Sequence, residues 1–399
     1  MLKLTGVALL VVVAAAAPAS SALAFGEEAT THRLSVTSTE GEADGPSNWA
    51  SISADGLSVV FTSSATLAPG GANGGVYLRD RVHGATHLVS LSDDDRPVRI
   101  SFGEAVSADG RFVLFDSLST IVGPGDGRQH VYLRDRLLGA TRFVSPAPRS
   151  DGERGIDVSP GGRFVTFMMN RSTPNTSTET MAIRDRRTHT TQRLVYGGFS
   201  RSTLLSGGRM TSGGTEVLYA RGPQLVIWNR ITGVREHVPL PAPAAFVEAA
   251  DISRDGRFVL FDAFHVAAGG FVHSEVYLRD RRAGVTTRVS VGPAPFTTGV
   301  VPNSVSDDGR YVAFNSSSAA FVNGDTNRGN DLFVRDMAAG ETVRVSVGGN
   351  GAQLSNSALT MGTALSADGR AAVFSTPSAA VPDDTNLFHD VFVRGPLHR

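Results

Sequence analysis

The chain of 399 residues contains no cysteine. That excludes a disulfide framework, a thiolate metal site, a cysteine nucleophile and a lipidated N-terminal cysteine. Lysine is nearly missing as well: Lys3 is the only one among 37 basic residues. Without it, neither Schiff-base chemistry nor a phosphate-loop lysine is available. Helical periodicity is absent beyond the first two dozen residues. So is any excess of one charge: the formal net charge is −1, with acids and bases interleaved, which argues against nucleic acid as a partner. The 41% of hydrophobic residues suffices for a large core.

Residues 1–24 read as a secretory signal. Lys3 supplies a positive start, Val7 to Ala17 is an unbroken apolar run, and Ala22-Leu23-Ala24 has the small-x-small pattern that signal peptidase accepts. The run is well short of the roughly 20 residues needed to span a bilayer. The expectation is therefore a mature chain from residue 25 to 399, secreted or periplasmic, with no membrane span after cleavage.

One phrase recurs along that mature chain. Ser-x-Asp-Gly, usually followed by Arg, stands at Ser53 to Gly56, Ser107 to Gly110, Ser253 to Gly256, Ser306 to Gly309 and Ser366 to Gly369. Weaker copies are Ser159 to Gly162 and Thr211 to Gly214, making seven units. Asp-Gly between two apolar runs is a tight-turn signal, because Gly takes positive φ and Asp tolerates it. The run after the turn, such as Phe112-Val113-Leu114-Phe115, is apolar on both parities, as in a strand covered on both faces. The next run ends in Arg-Asp, and the fourth, such as Thr287 to Val291, alternates as a half-exposed outer strand does. Each unit is thus four strands, and units this small must stack on one another. The chain ends decide how. His32 to Val36 is a fourth strand with no unit before it, and Val391 to Arg394 is a third strand with no fourth after it. Pairing the two closes a ring. The prediction is an all-β, single-domain, seven-bladed β-propeller, acting as a monomer. The fourth unit is the weakest, since Asn229-Arg230 replaces Arg-Asp and the next glycine follows early.

The Ser-x-Asp-Gly-Arg phrase, its apolar strand and the Tyr-Leu-Arg-Asp run resemble the WD40-like propeller repeats of the TolB family. The resemblance spans the mature chain and implies a propeller in the cell envelope. The family's separate α/β domain and six-bladed ring have no counterpart in the seven units counted here.

Function is expected where the units differ. The repeated Arg-Asp pairs read as structural, Asp holding a turn and Arg bridging to a neighbouring blade. The connections between second and third strands, and those between blades, share one face. These include residues 117–129, 169–179, 263–274, 315–330 and 375–389, expected as loops. Two of them carry oxygens at one spacing: Asp325, Asn327 and Asp331, and Asp384, Asn386 and Asp390. Such a set could wrap Ca2+, or the asparagines could simply order the loops through Asx-turns. No cofactor is otherwise required. His130, His265, His273 and His389 lie on the same face without metal-site spacing. Gly-x-Ser-x-Gly is absent. Asp116 and Asp262 end equivalent strands and are the acids expected for an alternative, glycan-active hydrolase or lyase. The leading expectation is non-catalytic recognition of an envelope protein or glycan.

Overall fold

The repeated phrase folds as its chemistry dictates. In blade 2, Ser107 Oγ donates to Asp109 Oδ1 at 2.7 Å, and Asp109 Oδ1 accepts from Arg111 N at 3.1 Å. Ser107 Oγ in turn accepts from Phe112 N at 2.9 Å, and Gly110 sits at φ 71°. The serine, aspartate and glycine together reverse the chain within a few residues and deliver it into the second strand.

The computed structural model describes residues 29–71, 74–98, 101–119, 121, 127–145, 150–173, 176–198, 204–266, 272–292, 299–358, 360 and 362–398. The expected signal at residues 1–24 lies outside them. The described elements are all strands, arranged as a seven-bladed β-propeller. Six blades, over residues 47–88, 101–143, 152–198, 205–237, 246–288 and 300–344, are four-stranded antiparallel sheets whose strands pair in chain order. The seventh combines Ala372–Thr376, Asp390–Gly395 and the N-terminal strand Thr30–Arg33, with an inner line reduced to a bridge between Leu365 and Ala372. Thr31 stands opposite Arg394 and Arg33 opposite Phe392, so the chain ends close the ring as predicted. No helix of the described residues is long and apolar enough to cross a membrane.

Seven apolar clusters fill the seven junctions between blades. Val59 and Phe61 of blade 1, for example, meet Val373 and Val391 of blade 7. Val113 and Phe115 of blade 2 instead face blade 1, while Leu114 faces blade 3. Alternation along one strand therefore serves two neighbours. Each fully buried Phe or Val contributes on the order of 2 kcal/mol.

The Arg-Asp pairs serve this scaffold. Asp135 accepts from Leu137 N and Leu138 N at 3.1 and 3.3 Å and takes both arms of Arg111 at 2.9 and 2.7 Å. Arg134 reaches Ser92 O at 3.1 Å and Asp95 at 2.6 Å, in the connection from blade 1. Blade 4 forms despite its weak phrase, because Asn229 Oδ1 accepts from Ile231 N and Thr232 N, both at 3.0 Å. Two expected loops are instead extended hairpins. Strands Phe164–Thr173 and Thr176–Asp185 pair to their ends, as do Phe258–Val266 and Val272–Asp280. The first grows from a run of Asn, Arg, Ser and Thr after Met169, which carries no alternating apolar signal.

Candidate functional site

The inner strands of blades 2 to 6 each carry a β-bulge at one equivalent place. It falls between Gly103 and Ala105, Gly155 and Asp157, Gly207 and Arg209, Ala249 and Asp251, and Pro302 and Ser304. A bulge re-aims side chains, and here it directs charged ones around the central channel. At the end where the Asp-Gly turns lie, the channel opens into a cavity of about 110 Å3 lined by every blade. Asp157, Arg209, Asp251, Arg254 and Asp307 give it its charge. Asp157 accepts from Met210 N of blade 4, and Asp251 from Val305 N of blade 6, each at 3.0 Å. Each thus ties its blade to the next. Burial pushes both carboxyls up, Asp251 to about 6.

Nearer the loop face lie two acid pairs. Asp116, fully buried, faces blade 3 and accepts from Gly155 N at 2.9 Å and from Gln129 Nε2 at 3.1 Å. Glu104, on the bulge of the same blade, is within hydrogen-bonding reach of Asp116. Burial raises Glu104 to about 7, against the pull of Arg154 and Arg209. Asp116 is raised by burial and by Glu104, so the pair holds one proton between them. Glu179, also raised by burial, stands within the field of Arg154.

Asp262 occupies the matching place in blade 5. It pairs in register with Glu248 and projects on the side of Phe258 and Leu260, toward blade 6. It is 1% exposed, and neither carboxyl oxygen has a hydrogen-bond partner. The residue of blade 6 equivalent to Gly155 is Pro302, which has no N–H to give. Burial raises Asp262, with Glu248 adding to the effect and the backbone N–H groups of Asp262 and Glu248 pulling weakly against it, and burial raises Glu248 too. Asp116 and Asp262 thus serve different junctions, with blades 3 and 4 between them, and each has its own acidic companion. Glu104 escapes a motif search because it sits on the bulge, where the inner strand's alternation breaks, and Glu248 because it belongs to no repeated phrase. A usable signal is the charged residue two places before the Ser or Thr of the phrase, as at Asp157, Arg209 and Asp251.

The two oxygen-rich loops, whose spacing left Ca2+ and Asx-turns open, each have an arginine among their oxygens. In blade 6, Arg344 Nη1 lies 3.1 Å from Asp325 and 3.6 Å from Asp331. Asn327 Oδ1 accepts from Gly329 N at 2.9 Å, an Asx-turn. In blade 7, Arg33 contacts Glu42 at 2.8 Å, Asp383 at 3.2 Å, Asp384 at 3.5 Å and Asp390 at 3.9 Å. Asn386 Oδ1 accepts from Phe388 N at 2.7 Å. Burial and the neighbouring Asp390 raise Asp384 to about 6. Among the described residues no group of three or more His, Asp or Glu side chains is placed to hold a metal ion. The histidines scatter: His130 pairs with Glu153 at 3.0 Å, and His265 and His273 share one hairpin.

Solved structures match this architecture. Oligogalacturonate lyase in complex with manganese superposes with a TM-score of 0.56 at 13% identity, over 92% of this chain and 93% of that one. The β-propeller domain of the trilobed protease from Pyrococcus furiosus gives 0.55 at 13% identity, over 90% and 97%. TolB from Acinetobacter baumannii gives 0.43 at 13% identity, over 76% of this chain and 64% of that one. At such identities the likeness shows the fold alone. No family model matches the chain, and no curated protein matches it in sequence.

Proposed function

We propose that the protein is an exported recognition disc of the TolB-type propeller kind. On this reading it binds an envelope protein or glycan where the loop face meets the central channel, without catalysis. One observation carries the reading. The repeated charges are consumed within the scaffold, as in the Arg111–Asp135 and Arg257–Asp280 pairs, whereas unrepeated Glu104 and Glu248 stand on inner strands beside the buried Asp116 and Asp262. A rigid ring with unlike side chains at its centre suits a ligand site better than a scaffold. The test is capture by tagged mature protein from the source's envelope extract, beside a carbohydrate array, with Glu104→Gln plus Glu248→Gln as the comparison. A defined ligand lost in the double variant supports the reading, and a ligand held equally by both removes the channel from it. Export is checked by N-terminal sequencing of the envelope fraction, expected to begin at Phe25.

A second reading, glycan cleavage, draws on Glu104. Its proton is held to about pH 7 beside Asp116, a state suited to a general acid. Turnover of polysaccharides by the wild type, abolished by Glu104→Gln, would favour it.

A further inference from the structure

Among the described residues no donor meets the buried Asp262 carboxyl in good hydrogen-bonding geometry. The position it faces is provided for elsewhere in the ring. Gly103 N donates to Thr62 Oγ1 at 2.9 Å across the first junction, and Gly155 N donates to Asp116 across the second. At the junction of blades 5 and 6, Pro302 removes the donor while blade 5 still presents an acid. An unpartnered buried oxygen costs on the order of 1–3 kcal/mol, and more when charged. No side-chain hydrogen bond joins Asp262 to Glu248, so both carboxyl oxygens of Asp262 stay unmet.

We propose that Glu248 and Asp262 form a receptor for the protonated amine of a ligand that enters through the channel. The proposal rests on the channel being the recognition site and names the chemistry it selects. Glu248 is partly open and lies on the inner strand Phe246–Ile252, directly opposite Asp262 in register, so a ligand would reach Asp262 past it. An ammonium brings three N–H donors and a compact positive charge to oxygens that lack both. The chain cannot supply that group itself, since Lys3, within the expected signal, is its only lysine. No guanidinium acts on either carboxyl: Arg209 stands 3.7 Å from Asp157 and Arg254 3.6 Å from Asp307, and neither bears on Glu248 or Asp262. A divalent metal fits less well, because two carboxyl groups fall short of the six or more oxygens that Ca2+ takes.

The test is titration calorimetry on the whole mature protein with methylammonium chloride. Tetramethylammonium chloride, of equal charge but without N–H, and calcium chloride serve as the other arms. Saturable binding of methylammonium alone is expected. Asp262→Asn and Glu248→Gln should each weaken it by at least about tenfold, the usual consequence of removing one side of a buried charged contact. Glu341→Gln, an exposed outer-strand change, should leave it intact. Circular dichroism confirms that each variant is folded. No binding of methylammonium, equal binding of tetramethylammonium, preference for Ca2+, or binding that survives both substitutions would overturn the proposal. If capture of an envelope ligand persists in Asp262→Asn while methylammonium fails to bind, the disc reading stands and only the amine receptor falls.

Discussion

The junction of blades 2 and 3 and the junction of blades 5 and 6 start from one plan and end differently. Both place an aspartate at the same point of the second strand, buried beside a glutamate of the inner strand. At the first, Gly155 N and the Gln129 amide meet Asp116, and the absent glycine side chain permits that approach. A Cβ on Gly155 would stand 2.7 Å from Leu114. At the second, Pro302 withholds the donor and no described residue replaces it in good hydrogen-bonding geometry. Blade 7 shows a third solution, in which Arg33 answers Asp384 and Asp390 from within. A buried acid is thus structural where the chain supplies its partner. Where the chain does not, the acid is open to a ligand.

Several substitutions break or sharpen this contrast. The largest effect is expected from Arg33→Met, which strips the internal cation from the blade 7 acids. It should cost about 3–5 kcal/mol in urea denaturation and loosen the closure of the ring. Gly155→Pro should copy the blade 5–6 situation into blade 2–3, costing about 3 kcal/mol or more through the lost N–H and steric clash. Pro302→Ala is the reverse experiment. A restored N–H should lower the Asp262 pKa, followed by carboxyl NMR, with a stability change of about 1 kcal/mol.

Glu104 offers a pH test of the shared proton. Its folded-state value, about 7, lies above the ordinary carboxyl value of 4.5. The folded protein therefore holds this proton more tightly than the unfolded chain, and the stability it brings is lost as pH rises from about 4.5 through 7. Relative to Glu104→Gln, the wild type should lose about 1–3 kcal/mol between pH 5 and 8. The smallest effect is expected from chelation. With Arg33 and Arg344 in the oxygen-rich loops, EDTA should leave the melting temperature unchanged, and a drop of several degrees would restore the calcium expectation.

The architecture was legible in the sequence because it repeats. Asp-Gly turns, doubly apolar strands and the split seventh blade are local or terminal features, and each survives in the structure. Blade 4 was legible too, once Asn229 is seen to hold the turn that aspartate holds elsewhere. The site was less so. Asp116 and Asp262 could be named as equivalent strand-end acids, but their burial and their separate companions could not, because alternation turns each toward its own next blade. Glu104 and Glu248 were missed since neither belongs to a motif. Arg33 lies some 350 residues from Asp383, and only ring closure brings them together. Residues 169–179 misled because a polar run around Pro174 looks like a loop in sequence, and residues 263–274 because of their Gly269-Gly270 pair.

The most direct test is equilibrium urea denaturation of Asp116→Ala beside Asp262→Ala in ligand-free protein. The two changes delete the same atoms from equivalent sites, so their cavity costs largely cancel. Asp116→Ala should lose about 2–4 kcal/mol, because it leaves Gly155 N unpaired and Glu104 without its companion. Asp262→Ala should stay within about 1 kcal/mol of wild type or gain stability, since it removes an unmet carboxyl. Equal losses at both sites would contradict the account, showing that Asp262 is a structural group like Asp116 and not one held open for a ligand.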